Sequence, residues 1–345
     1  MRLLFFGDFS YDFDHVAEDI LSIGEFARGK EAKVILNLEG PITDGAGKEI
    51  RKRGKHLPQK GKCSEALTAL GVSGVTLANN HMMDYSLKGL TDTLSELDKL
   101  GIKHTGAGSD LKKALEPMVF SEGEESVAVF SFGWDIEETV YAGLHKSGCA
   151  PRKEKVIFDT IREYSAENPG RRIIVALHWG FEYNPYPLPC DIELAGKLCK
   201  MDPVCAVIGH HSHCPQPFEM INEKPVFFSL GNFYYSSRRH KYSARSFDLE
   251  PSNLCDYCMA ALLDTADMSA EPFVFYYDLE KDRTEYREDL MISVTMPDID
   301  YKTQEYRRFA LSRALHKNPI PGPGRLESGL AFYMFNLKRD LSKYL

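Results

Sequence analysis

Six side chains in this 345-residue chain are potential metal ligands, and each follows an apolar run. Asp8 comes after Leu3-Leu4-Phe5-Phe6-Gly7, Glu39 after Val34-Ile35-Leu36-Asn37-Leu38, Asn80 after Val72 to Ala78, and His178 after Ile173 to Leu177. His211 and His213 follow Val204 to Ile208. Carboxylate, amide and imidazole donors meeting at one point suit Mn²⁺, Fe²⁺ or Zn²⁺, and six donors suffice for one or two divalent ions. Two ions about 4 Å apart can share a bridging carboxylate and hydroxide. Coordination lowers the pKa of water from 15.7 to about 7, so hydroxide is available near neutrality to attack phosphorus or a carbonyl.

Spacing refines the assignment. In extended chain, residues two apart point the same way, so His211 and His213 reach one zone and His210 faces elsewhere; a one-residue shift would exchange His210 and His211. In Asn80-His81, the amide oxygen is a neutral ligand and the imidazole is a proton donor, with Asp84 placed to orient it. Glu182, Tyr183 and Asn232 are candidate substrate contacts, with Trp179 beside them at the rim. Two basic clusters follow site loops: Lys48, Arg51, Lys52, Arg53, Lys55, Lys60 and Lys62, then Arg238, Arg239, Lys241 and Arg245. They read either as solvated loop charge or as local positive potential that captures an anion. Taken singly, each strand tip has a plainer reading as a turn or helix cap. Five such tips in strand order make a shared site the better account.

The apolar runs read as buried strands. Helical periodicity lies between them over Leu87 to Leu100, Val156 to Tyr164 and Ile192 to Cys199. Alternating strand and helix favours a largely parallel sheet, whose ligands sit beyond the carboxyl ends of its strands. After Val226 to Phe233 come further strands at Met259 to Leu263, Phe273 to Leu279 and Leu290 to Val294, then a loop with Pro319, Pro321 and Pro323, and an amphipathic helix over about Leu326 to Tyr344.

Composition narrows the functional classes. With 43% hydrophobic and 27% charged residues the chain is globular, and 50 acidic against 42 basic residues give a net charge of −8, against general nucleic-acid binding. No apolar run approaches the roughly 20 residues of a membrane span, and Met1 leads almost directly into the first strand, so neither an anchor nor an export signal is expected. Eight scattered cysteines in a chain of this size fit reduced thiols and a cytoplasmic location. Cys255-Asp-Tyr-Cys258 has zinc or redox spacing but lacks a second pair.

In Gly7-Asp8, Asn37-Leu38-Glu39-Gly40-Pro41, Leu77-Ala78-Asn79-Asn80-His81 with Asp84-Tyr85, Gly106-Ala107-Gly108, His178-Trp179-Gly180-Phe181-Glu182-Tyr183, Gly209-His210-His211-Ser212-His213 and Ser229-Leu230-Gly231-Asn232-Phe233, the chain resembles the CapA family of bacterial capsule synthesis or poly-gamma-glutamate biosynthesis proteins. That family's fold is similar to that of calcineurin-like metallophosphoesterases. The resemblance implies a four-layer α/β/β/α sandwich with its metal pocket at the strand tips, here with a C-terminal helical extension. Residues 1–245 would form the CapA-like domain, and residues 246–345 would add strands completing the sandwich plus the terminal helix. By motif, Asp8, Glu39, Asn80, His178, His211 and His213 take the metal positions and His81 the proton-donor position. The chain departs from the metallophosphoesterase pattern at Ser10, where a His is usual, and at Glu39, where Asp is usual; Ser212 replaces a Pro common in the CapA motif.

The expected activity is metal-dependent hydrolysis of a phosphoester or of a glutamyl-polymer amide, with an anionic small molecule or polymer as substrate. The alternative is a non-catalytic accessory protein that holds a polyanion within a capsule synthase complex.

Overall fold

Nine residues form strand β1 (Arg2–Ser10), and eight are buried, as in a strand inside a sheet covered on both faces. The computed structural model describes residues 1–45, 47–52, 54–134, 138–184, 186–235, 256–278, 281 and 283–288. After β1 come α1 (Glu18–Gly29), β2 (Ala32–Leu38), α2 (Cys63–Leu70), β3 (Val72–Thr76), α3 (Ser86–Leu100) and β4 (Lys103–Thr105). The four strands are parallel neighbours in the order β1-β2-β3-β4. Gly71 and Gly101, with φ of 73° and 68°, end α2 and α3 in the left-handed conformation that glycine adopts without strain.

The chain then forms a short pair, β5 (Ala107–Gly108) with β8 (Gly148–Cys149), around α4 (Leu111–Ala114), β6 (Met118–Glu122) and β7 (Glu125–Gly133). Next come α5 (Glu154–Glu167), β9 (Arg172–His178), α6 (Pro189–Cys199), β10 (Val204–His210), β11 (Pro215–Ile221) and β12 (Lys224–Leu230). They build a second sheet in the order β11-β12-β10-β9-β7-β6, parallel at its centre and antiparallel at both edges. Finally β13 (Asn232–Tyr235) runs parallel to the end of β1, and β14 (Tyr257–Asp264), β15 (Ala270–Asp278) and β16 (Arg283–Tyr286) extend the first sheet antiparallel from β1.

Strand alternation sorts the apolar side chains into three cores. Leu4, Phe6, Leu36 and Val75 face Ile20, Leu67 and Leu90 of the first helices. Phe130, Val175 and Leu177 face Ile157, Ile161 and Leu194 of α5 and α6. Between the sheets, Leu3, Phe5 and Ile35 meet Val129, Ile174 and Ile208. The layers are therefore α/β/β/α, as expected, and each buried Leu, Ile or Phe contributes roughly 1.5–3 kcal/mol.

Two details lie beyond the sequence reading. That reading leaves Val226 to Phe233 unassigned; the run holds the change of sheet, with β12 in the second sheet and β13 in the first, and the chain crosses between them at Gly231, whose φ is 76°. The polar edge strands β6 and β11 escape a search for apolar runs. The strand at Leu290 to Val294, the proline loop, the helix at Leu326 to Tyr344, the boundary at 245/246, Cys255, Arg53 and the cluster Arg238, Arg239, Lys241 and Arg245 lie outside the described residues. Among those described, no helix is long and apolar enough to cross a membrane.

Candidate functional site

The carboxyl ends of the central strands of both sheets carry the polar residues singled out by sequence. Glu39 follows β2, and its backbone is fixed on two sides: its N–H donates to the Phe9 carbonyl at 2.9 Å, and its carbonyl accepts from Gln59 Nε2 at 2.7 Å. Gly40 has φ of 114°, and a Cβ there would stand 2.0 Å from the Leu57 oxygen, so only glycine permits this turn. The Glu39 side chain is 0% exposed, and neither carboxylate oxygen has a hydrogen-bond partner. Burial, reinforced by nearby Asp8, raises its pKa well above the usual range.

His211 and His213 reach the same point, although not by strand alternation. Strand β10 stops at His210, and φ values of 91° and 59° place His211 and His213 in the left-handed region. The tight turn, not extended chain, brings both rings inward. His210 is buried apart from them, with Nε2 3.4 Å from the Phe6 carbonyl. Candidate ligand atoms of Glu39, His211 and His213 lie within 4.8 Å of one another. His213 Nδ1 lies 2.8 Å from Asn232 Oδ1, its acceptor, leaving Nε2 at 3.7 Å from Glu39. A ligating imidazole is ordinarily fixed by such a bond from its other nitrogen. Burial opposes the charged form of His213, but Glu39 and Asp8 raise its pKa well above normal.

Asp8 lies 3.5 Å from His213 Nδ1 and accepts from Asn37 Nδ2 at 2.8 Å and the His211 N–H at 3.1 Å. Burial pushes its pKa up, but a hydrogen bond from His213 and the charges of the neighbouring imidazoles hold it at about 2. His178 Nε2 lies 2.9 Å from Asn80 Oδ1, its Nδ1 is buried without a hydrogen bond, and its ring centre is 4.5 Å from that of His211. Burial, then His211, lowers its pKa well below normal. Of the six expected donors, Glu39, His211 and His213 converge, Asp8 adjoins both histidines, and His178, bonded to Asn80, stacks beside His211; the converging carboxylate and imidazoles fit a divalent cation. A buried carboxylate with no hydrogen bond and two imidazoles facing it is unfavourable unless a positive charge joins them.

On the adjoining wall His81 Nδ1 lies 2.8 Å from Asp84 Oδ2, which also accepts the Leu57 N–H at 2.9 Å. Burial lowers the pKa of His81. Burial raises that of Asp84, but His81 and Lys52 together bring it below normal. Of the expected rim residues, Glu182 Oε1 lies 4.0 Å from His213 Nε2, and the Tyr183 ring centre is 5.7 Å from that of His213. Asn232 is 4% exposed and stands behind His213, so it orients a ring from below the rim. Ser10 is buried at the end of β1.

The sequence reading passed over four residues. Asn37 holds Asp8, and Gln59 bridges Glu39 to the Tyr11 N–H. Asn79 accepts the N–H groups of His81 and Met82 and donates to the Leu38 carbonyl, shaping the turn that presents Asn80 and His81. Lys52 belongs to a cluster whose described neighbours Lys48, Arg51, Lys55, Lys60 and Lys62 are exposed, yet its own side chain is 2% exposed against Asp84. Asn79 and Gln59 were visible as polar residues within otherwise apolar or turn segments; nothing local distinguishes Lys52.

Residues 6–237, two thirds of the chain, match the family described as bacterial capsule synthesis protein PGA_cap. The chain belongs to this family. This PGA_cap chain is 34% identical over 178 residues to a Mycobacterium tuberculosis protein named "Probable polyglutamine synthesis accessory protein", covering 48% of the chain and 46% of the relative. It is 28% identical over 201 residues to the PGA biosynthesis protein CapA of Bacillus subtilis, covering 58% and 52% respectively. The chain spans about half the length of these curated relatives. Among solved structures, it is similar to a 5'-nucleotidase precursor from Thermus thermophilus, with a TM-score of 0.48, 10% identity and coverage of 92% of this chain and 59% of that one. A calcineurin-like phosphoesterase from Bacillus subtilis gives a TM-score of 0.45, 14% identity and coverage of 92% and 98%.

Proposed function

We propose that this PGA_cap chain is a metal-dependent hydrolase of a phosphoester or of a glutamyl-polymer amide, acting in capsule or poly-gamma-glutamate metabolism. The observation that carries the reading is the buried Glu39 carboxylate, without a hydrogen bond, facing His211 and His213 beside a carboxylate-backed His81. Glu39, His211 and His213 would hold a divalent ion, with Asp8, Asn80 and His178 next to them. Such an ion supplies Lewis acidity, lowering the pKa of water and offsetting negative charge on the attacked group. His81 turns Nδ1 toward Asp84, so Nε2 is the nitrogen left to pass a proton to a leaving group. Glu182 and Tyr183 narrow the approach to His213, screening the buried donors from bulk water.

The name of the mycobacterial relative, a probable polyglutamine synthesis accessory protein, supports a second reading, an accessory protein that binds a polyanion in a synthesis complex. Protein loaded with Mn²⁺, Fe²⁺ or Zn²⁺ and assayed on phosphoesters and poly-gamma-glutamate separates the two. The hydrolase reading expects turnover that falls by about 10²- to 10⁴-fold in His81→Ala with bound metal retained. Stoichiometric metal binding without turnover on either substrate class overturns it in favour of the accessory role.

A further inference from the structure

We propose that Lys52 is a positioning residue of the same site, an internal counter-cation that fixes the Asp84 carboxylate and thereby the ring of His81; this rests on the reading of His81 as proton donor. Burying an ammonium costs several kcal/mol unless it is paired and hydrogen-bonded, so a lysine that leaves an exposed basic loop for a 2%-exposed position needs close partners. Lys52 has two that can accept from it: its Nζ is ion-paired with Asp84 Oδ1 and donates to the Asn80 carbonyl at 3.3 Å. It also lies 2.9 Å from His81 Nδ1, which, with its N–H given to Asp84, is a neighbour and not an acceptor.

The two Asp84 oxygens divide the task. Oδ2 takes the Leu57 N–H and faces His81 Nδ1, whereas Oδ1 is buried and has no hydrogen bond of its own, so the ammonium is its compensation. Removing that charge leaves the carboxylate free to rotate and exchange its oxygens, and the His81 ring loses a fixed partner. Because Lys52 is covered, it acts through Asp84 and His81 and does not touch substrate. Its bond to the Asn80 carbonyl extends the same control to the turn that presents a candidate ligand.

The test uses the full chain loaded with diamagnetic Zn²⁺ and follows the downfield proton resonance of the His81 Nδ1–H, assigned by its absence in His81→Asn. In Lys52→Met, which keeps the aliphatic stem, this resonance is expected to shift or to broaden through exchange, with Zn²⁺ stoichiometry unchanged. Where turnover is measured, kcat falls about 10- to 100-fold with KM little altered, as for loss of a residue that orients a functional group. Lys52→Arg, which retains the charge at a different reach, is expected to give an intermediate resonance, and it supplies the measurement if Lys52→Met does not fold. A resonance identical to wild type in the folded variants, or no His81-dependent resonance in wild type, overturns the proposal. A shifted resonance without hydrolysis by wild type leaves the positioning role standing and removes the hydrolase reading. Wild-type hydrolysis with equal kcat in Lys52→Met does the reverse.

Discussion

Glu39 and Asp84 are both fully buried carboxylates at the same rim, and they are treated oppositely. Asp84 accepts the Leu57 N–H, faces His81 and is ion-paired with Lys52, so its negative charge is met from within the chain. Among the described residues, Glu39 is ion-paired with no lysine or arginine, makes no side-chain hydrogen bond and faces two imidazoles. One acid is met by a lysine of the chain; the other has only imidazoles beside it. On the proposed function, the first pair orients a proton donor and the second acid takes a divalent cation from solution.

That contrast breaks first at Asp84. Asp84→Asn leaves the Lys52 ammonium buried without its partner and is expected to lower the unfolding free energy by about 3–5 kcal/mol, measured by urea denaturation of the metal-free protein. Glu39→Gln, by contrast, replaces a carboxyl that burial already drives toward its neutral form, so the metal-free protein should be no less stable than wild type. The same variant should lose the stabilisation of about 2.7 kcal/mol that a ligand at 100 times its dissociation constant confers, read as the shift of the unfolding midpoint on adding Mn²⁺. Equal behaviour of the two variants would erase the distinction.

Two smaller effects sharpen it. Asn232→Ala removes the acceptor that sets the His213 ring and is expected to weaken Mn²⁺ binding by about 10-fold, by isothermal titration calorimetry. Tyr183→Ala alters only the approach to that ring, and its Mn²⁺ affinity should stay within about twofold of wild type, below the range seen when a ligand's own support is removed.

Much of this was legible in the sequence, for physical reasons that differ from residue to residue. Asp8, Glu39 and His178 announce themselves because parallel strands covered on both faces are apolar throughout, so a polar residue at the carboxyl end stands out. The four layers follow from the same alternation. His211 and His213 do come together, but not through the alternation of extended chain that the spacing suggests, since the backbone there is left-handed. Lys52 was hidden because one buried lysine among exposed ones leaves no trace in composition, and its partner Asp84 is distant in sequence. The crossing at Gly231 was hidden because buried strands of either sheet carry the same mainly apolar residues, so Val226 to Leu230 and Phe233 do not say which sheet each joins.

That crossing couples the pocket to the whole molecule. Gly231 hands the backbone from one sheet to the other, accepts the N–H of Asp8 at 2.9 Å, and is followed at once by Asn232, the support of His213. Sliding one sheet over the other would therefore pull Asp8 and Asn232 out of place before any side chain turned. The pocket sits on the seam of the sandwich like a clasp, and heat that opens the seam should dismantle fold and ligand grip in one cooperative event.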